Sequence, residues 1–198
     1  MVKMTDINKL ILDNAKELFA HYGIKKTTMD EVAETSGIAK GTIYNYFKSK
    51  EELFAEIIKK ESEMFFYKLD NNIKKGTNPE EKLKLFVTGY FSIMYEYKNL
   101  FNLIYSKKDT SFELMPLIYK GIQKYKHKIH DFLKNIIDDG INQNIFRQYD
   151  SKLLSDIVFN IFLMVGFPLN NKFLNDDIKI ILKNINFMMD LILTGLKT

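Results

Sequence analysis

The stretch from Thr27 to Lys50, TTMDEVAETSGIAKGTIYNYFKSK, leaves the backbone few alternatives. Thr28 with Glu31 three residues on is a capping box, a reciprocal pair that satisfies the first free N–H groups of a helix. Met29, Val32, Ala33 and Ser36 follow at the spacing of one buried helical stripe. Gly37 ends that helix, because a residue without Cβ enters the left-handed conformation of a tight helix end at no steric cost. A second short helix starts almost at once, from Ala39. On it Ile43 and Phe47 lie four apart and point inward, which at about 100° per residue turns Gly41, Asn45 and Lys48 outward, with Thr42 and Tyr44 on the flanks. Two short helices around one tight turn form a helix-turn-helix, whose second helix presents polar side chains of a size that fits a DNA groove.

The charges point the same way. From Ser36 to Lys50 there are three lysines, Lys40, Lys48 and Lys50, and no acid. The chain as a whole is only +4, shared evenly: eight lysines against six acids over residues 1–50, and 21 basic residues against 19 acids over the rest. So slight an excess says little about partners, and the argument for a polyanion rests on the placement of those three lysines. Gly41 costs about 1 kcal/mol relative to alanine inside a helix, and close approach of the backbone to DNA supplies a reason for it. Lys50 follows Ser49, which forms a further capping box with Glu52, so a cation occupies a helix's first turn, where the helix dipole disfavours it. A phosphate beside Lys50 would reverse that sign; Glu51 and Glu52 would also compensate.

From about Ile7 to Phe54 the chain resembles the DNA-binding domain of the tetracycline-repressor (TetR) family of bacterial transcription regulators. The likeness lies in an amphipathic first helix (Ile7, Leu10, Ile11, Leu18, Phe19), the link His21-Tyr22-Gly23-Ile24, the TTMDEVAETSG helix, the KGTIYNYF recognition helix, and KSKEELF opening a long fourth helix. The resemblance implies that Lys40 and Gly41 face base edges in the major groove, with Thr42 and Asn45 reaching bases or sugar-phosphate. It further implies that Tyr44, Tyr46 and Lys50 grip phosphates and that Thr28 meets another at the start of its helix. Tyr46 lies nearer the Ile43 side and is open to a part in the core instead, and Thr28 to a role as cap alone. Ile38 and Ala39 stand where relatives often carry hydroxyls, and Met29 where some carry threonine, which leaves phosphate contacts there to the backbone.

Beyond Ser49 the pattern is helix after helix. A fourth helix is expected to about Lys75, anchored by Leu53, Ile57, Met64 and Phe65 and stopped by Gly76. Asn78 and Pro79 open a fifth with the stripe Leu83, Phe86, Val87, Tyr90, Met94 and Tyr97. A sixth covers Leu100 to Tyr105. Thr110 with Glu113 opens a seventh, running through Ile118, Ile122, Ile129 and Leu133 towards Gln143, with Pro116 near its first turn and Asn144 as a left-handed cap. An eighth follows Asp150 to Gly166, and a ninth runs from about Asp176 to Leu196. The expected fold is therefore all-α, with about nine helices: a helix-turn-helix domain over 1–50 and a ligand-binding and dimerisation domain over 51–198.

The last helix is apolar on more than one side, with Ile178, Ile181, Ile185, Met189 and Ile192 on one face and Ile180, Phe187 and Leu191 on another. The resemblance implies that the second face belongs to a homodimer, the last two helices of each subunit forming a four-helix bundle. It also implies a pocket for a small apolar effector, for which Phe65, Phe86, Tyr90, Met94, Phe101, Tyr105 and Tyr119 are candidates, each equally suited to plain core. His127 and His130, with Asp131, have a spacing that can hold a metal, but the adjoining Lys126 and Lys128 favour a solvated face. No nucleophile has a recognisable base and no glycine-rich phosphate loop follows a strand, so no enzyme, cofactor or metal is expected. The absence of cysteine suits a reducing cytoplasm. No secretory signal is seen, and the most apolar run, Ile157 to Leu169, is too short for a membrane and is broken by Asn160 and Pro168. The expectation is a dimeric, effector-released repressor of double-stranded DNA; the alternative is a DNA-binding or scaffold protein of the same fold whose second domain binds a protein.

Overall fold

The computed structural model describes the backbone of residues 4–96, 98, 115–166 and 177–197, and the side-chain surroundings of 7–96, 98, 123–161 and 177–197. Every regular element among them is a helix: α1 (Met4–Tyr22), α2 (Met29–Thr35), α3 (Lys40–Tyr46), α4 (Lys50–Ile73), α5 (Pro79–Glu96), α6 (Met115–Asn142), α7 (Ser151–Gly166) and α8 (Ile178–Leu196). The helix expected over Leu100 to Tyr105 and the Thr110/Glu113 cap lie outside the described residues. The chain divides into two compact units, one containing the residues up to Glu63, the other Met64–Lys98 and the residues from Gln123 on.

In the first unit α1 buries Ile11, Leu12, Ala15 and Phe19, and Phe19 meets Phe54 of α4 edge-on with ring centroids 6.0 Å apart. Leu10, expected in that stripe, is 43% exposed instead. Leu12 and Ala15 take its place, because the buried face is centred one residue further round than the apolar residues suggested. Asn14 Nδ2 donates to Ser36 Oγ at 3.2 Å, and Lys16 pairs with Glu61 at 2.7 Å, so α1 is fastened to both α2 and α4.

Both expected left-handed caps are present and are built alike. Gly37 has φ +64°, its N–H donates to Glu34 O at 3.0 Å, and the Ile38 N–H reaches back to Ala33 O at 3.0 Å. Asn144 has φ +56°, with the Asn144 N–H on Ile141 O at 3.0 Å and the Ile145 N–H on Gly140 O at 2.9 Å. These paired bonds satisfy the carbonyls that a helix end leaves open.

In the second unit the buried face of α4 has moved round. Met64, seven residues after the buried Ile57 and in line with it, is 49% exposed, so its expected role as an anchor is not met. Phe65, Phe66, Leu69 and Ile73 are buried there, because this half of α4 faces different neighbours. Asn78 Oδ1 caps α5 by accepting from the Glu81 N–H at 2.9 Å, and Leu83, Phe86, Val87, Tyr90 and Met94 are buried as their spacing required. Tyr97 lies outside the described residues. At Gly89 an added Cβ would collide with the Asn72 side chain, whose Nδ2 donates to Leu85 O at 2.6 Å. Gly140 is likewise covered by the Phe146 ring. α8 starts at Asp177, which accepts from the Lys179 N–H at 3.0 Å, and buries Ile181, Ile185 and Met189 while Ile178 and Ile192 are half-buried.

Candidate nucleic-acid interface

Helix α3 is seven residues long, too short to stand alone, and is held from behind by Ile43 and Phe47, 0% and 4% exposed. Its outward side carries Lys40, Gly41, Tyr44 and Asn45, all exposed, with Thr42 and Tyr46 half-buried at the edges. A Cβ added at Gly41 would meet nothing within 4 Å among the described residues, so their packing gives no reason for glycine there. Asn45 makes no side-chain hydrogen bond among the described residues. Ala39 precedes the helix with extended backbone and no side-chain cap.

The three lysines of this segment are held differently. Lys40 forms an ion pair with Asp30 in the first turn of α2, and that carboxylate's hydrogen bond and charge push the Lys40 ammonium above the ordinary lysine range. Lys48 Nζ donates to Tyr44 O at 3.4 Å. Lys50 Nζ donates to Lys25 O at 3.2 Å and Thr27 O at 3.4 Å, which answers the puzzle of a cation in a first turn: two carbonyls of the loop before α2 face it. An ammonium has three N–H groups, so one remains for a phosphate. Ser49 Oγ accepts from the Glu52 N–H at 3.2 Å, but the Glu52 carboxylate takes the Lys48 N–H at 2.6 Å, one residue earlier than in a standard capping box.

Thr28 caps α2 in full. Its hydroxyl accepts from the Glu31 N–H at 3.2 Å and donates to Glu31 Oε2 at 2.9 Å, while the Thr28 N–H donates to the same oxygen at 2.7 Å. A phosphate arriving there would meet an anion already in place.

Of the pocket candidates, Phe65, Phe86, Tyr90 and Met94 are all buried. Phe65 and Tyr90 meet edge-on at 5.9 Å, and Phe86 stacks on Tyr90 at 6.3 Å. Phe101 and Tyr105, and the side chain of Tyr119, lie outside the described residues. Tyr125, absent from the sequence-based set, joins the cluster 5.2 Å from Phe65, and its hydroxyl donates to Met94 Sδ at 3.5 Å. Burial pushes the Tyr90 hydroxyl up to about 12, which keeps it neutral.

His127 is exposed, as a solvated face requires, but His130 is half-buried: Nε2 contacts Asp156 Oδ1 at 2.5 Å and Nδ1 contacts Ser155 Oγ at 3.3 Å, joining α6 to α7. Ser155 is wholly buried and donates to Lys152 O at 2.8 Å. Among the described residues no cluster fit for a metal ion occurs, and no helix is long and apolar enough to cross a membrane.

A short helix seated on an apolar base with an open polar face, beside a capped partner helix, defines a helix-turn-helix DNA-binding protein. Residues 11–57 match the family model for bacterial regulatory proteins of the tetR family. An uncharacterised HTH-type transcriptional regulator, YhgD, of Bacillus subtilis (strain 168) is 30% identical over 163 residues, covering 82% of this chain and 83% of that one. A transcriptional regulator from Cytophaga hutchinsonii ATCC 33406 superposes with a TM-score of 0.76 at 30% identity, covering 96% and 98% of the two chains. FadR of Bacillus subtilis, solved in complex with stearoyl-CoA, superposes at 0.71 with 24% identity over 94% and 98%. The chain belongs to the TetR family of transcriptional regulators, which are not enzymes.

Proposed function

We propose that the protein is a repressor that binds a two-fold symmetric operator as a homodimer, reading DNA with residues 1–50 and responding through 51–198 to a small, largely apolar effector. The observation that carries the reading is the open face of α3, where Gly41 has no neighbour among the described residues to explain it. Lys40 and Gly41 are assigned to base edges, Thr42 and Asn45 to bases or sugar, and Tyr44, Tyr46 and Lys50 to phosphates, while Thr28, held by Glu31, is assigned to the cap alone. Dimerisation is supported by α8, which exposes Ile180, Phe187 and Leu191, and by an apolar groove of about 350 Å³ beside it, walled by Leu153, Ile157 and Leu191. A second copy would cover this face, and two recognition helices about 34 to 36 Å apart, or a longer helical multiple, would then match a palindrome.

The effector site is assigned to the cluster of Phe65, Phe86, Tyr90 and Met94, extended by Tyr125. Its aromatic lining suits an acyl chain, and the FadR complex with stearoyl-CoA supplies the ligand class to try first. α4 runs unbroken from Lys50 to Ile73 and passes from one compact unit into the other, so a ligand favouring a splayed state would shift the separation of the two reading helices. The experiment is selection from a pool of randomised duplexes. The wild type is expected to enrich a two-fold symmetric sequence and the Lys40→Ala, Tyr44→Ala double variant to enrich none; equal enrichment by both would remove α3 as the reader. Adding stearoyl-CoA to the enriched complex should release the duplex, and unchanged affinity at saturation would exclude that effector class.

A further inference from the structure

We propose that Asp30 is a specificity-determining residue of the reading surface, holding the Lys40 ammonium until a duplex offers a well-placed base acceptor in its stead. The inference rests on the DNA-reading role of α3. Lys40 is the first residue of α3 and Asp30 lies in the first turn of α2, where the helix dipole favours a carboxylate whether or not a lysine is near. The Gly37 turn fixes the two helix starts relative to one another, so the pair follows from the backbone. Both partners remain in contact with water, with side chains 68% and 51% exposed, so the ammonium can leave without unfolding anything.

The pairing is selective. The Lys48 and Lys50 ammonium groups donate to neutral carbonyl oxygens and form no ion pair among the described residues, which leaves them available to phosphates. Lys40, the lysine assigned to base edges, is the one matched with a carboxylate. Glu31 does not compete for it, being occupied by Thr28. Every duplex presents phosphates, so Lys48 and Lys50 support binding to any sequence. Guanine O6 and N7 are the best acceptors for lysine in the major groove, and only some sequences place them opposite Lys40. On those sequences the ammonium exchanges one oxygen acceptor for another. On others it stays with Asp30, or Asp30 is left unpaired beside the phosphates. Asp30 therefore weakens binding to wrong sequences more than to the right one.

The test uses the full chain as wild type, Asp30→Asn, Lys40→Ala and the double variant, with Glu34→Gln as a control for loss of an exposed acid from the same helix. Each is titrated against the duplex enriched by the wild type and against a scrambled duplex over a range of salt concentrations, with melting temperatures confirming that the variants fold. Asp30→Asn is expected to tighten binding to the scrambled duplex roughly three- to tenfold and to steepen the log–log salt slope by about 0.9, the value for one more phosphate contact. Its effect on the enriched duplex should be smaller, so the specificity ratio falls. In the Lys40→Ala background the same substitution should do no more than Glu34→Gln. An unchanged ratio in Asp30→Asn, an equal effect of Glu34→Gln, or weaker binding to both duplexes would overturn the proposal while leaving α3 as the reader. A wild-type protein that enriches no sequence would overturn both.

Discussion

Helices α3 and α8 each bury one stripe and expose another, but α3 turns Gly41, Tyr44 and Asn45 to solvent whereas α8 turns out Ile180, Phe187 and Leu191. The buried stripes are alike in kind: Ile43 and Phe47 seat α3, and Ile181, Ile185 and Met189 seat α8. What differs is the chemistry left facing outward. A polar face with a glycine in it tolerates water and invites close approach of another polar backbone, while large apolar side chains more than half exposed lose free energy in water until something covers them. The first face suits a nucleic acid and the second suits a protein copy, so one helical design serves two kinds of recognition.

The largest expected effect comes from spoiling the apolar face. Phe187→Asp with Leu191→Asp removes no buried side chain, so the monomer should fold, yet sedimentation should show one subunit, and operator affinity should fall roughly 100-fold or more as the second reading helix is lost. A variant that stays dimeric would place the interface elsewhere. Next is Gly140→Ala, which forces the Phe146 ring aside and should cost about 1–3 kcal/mol in denaturant unfolding, with the reading surface of α3 unaltered. Gly41→Ala divides stability from function: no described residue blocks a methyl group there, so the helix should gain about 1 kcal/mol while DNA binding weakens. Tighter binding together with higher stability would mean that the backbone at Gly41 makes no close approach. The smallest effect is at the α6 cap, where Asn144→Ala should lose about 1 kcal/mol, because alanine tolerates φ +56° less well than asparagine.

What the sequence made legible was local. The Thr28–Glu31 box, the Gly37 and Asn144 caps and the inward pair Ile43 and Phe47 all depend on residues within five positions of one another, and each is present in the structure. The errors came where a helix changes neighbours. Met64 follows Ile57 at a helical spacing, yet the buried face of α4 has turned to Phe65, Phe66, Leu69 and Ile73 by that point, and no periodicity within α4 announces the new partner. Leu10 fails for a related reason, since Leu12 and Ala15 complete the face set by α2 and α4.

Within the candidate site, the outward set on α3 could be read from spacing alone, but its electrostatics could not. Asp30 meets Lys40 across a turn and Lys50 reaches carbonyls more than twenty residues back, contacts that only the folded arrangement of three helices defines. His130 shows the same limit: its partners Ser155 and Asp156 belong to another helix, so neighbouring lysines suggested a solvated face where the structure has a polar junction. Tyr125 escaped the aromatic set because its neighbours along α6 are lysines and glutamine, and its ring contacts are with Phe65 and Phe66 of α4.

The chain contains no cysteine, so a single introduced thiol reports on one surface at a time. The most direct test of α3 as the DNA-reading element is the rate at which a maleimide alkylates Asn45→Cys, measured beside Tyr67→Cys at an exposed position of α4, with and without saturating enriched duplex. Duplex should slow alkylation of Asn45→Cys to a small fraction of its free rate and leave Tyr67→Cys unaffected, whereas an Asn45→Cys rate indifferent to bound duplex would contradict the assignment.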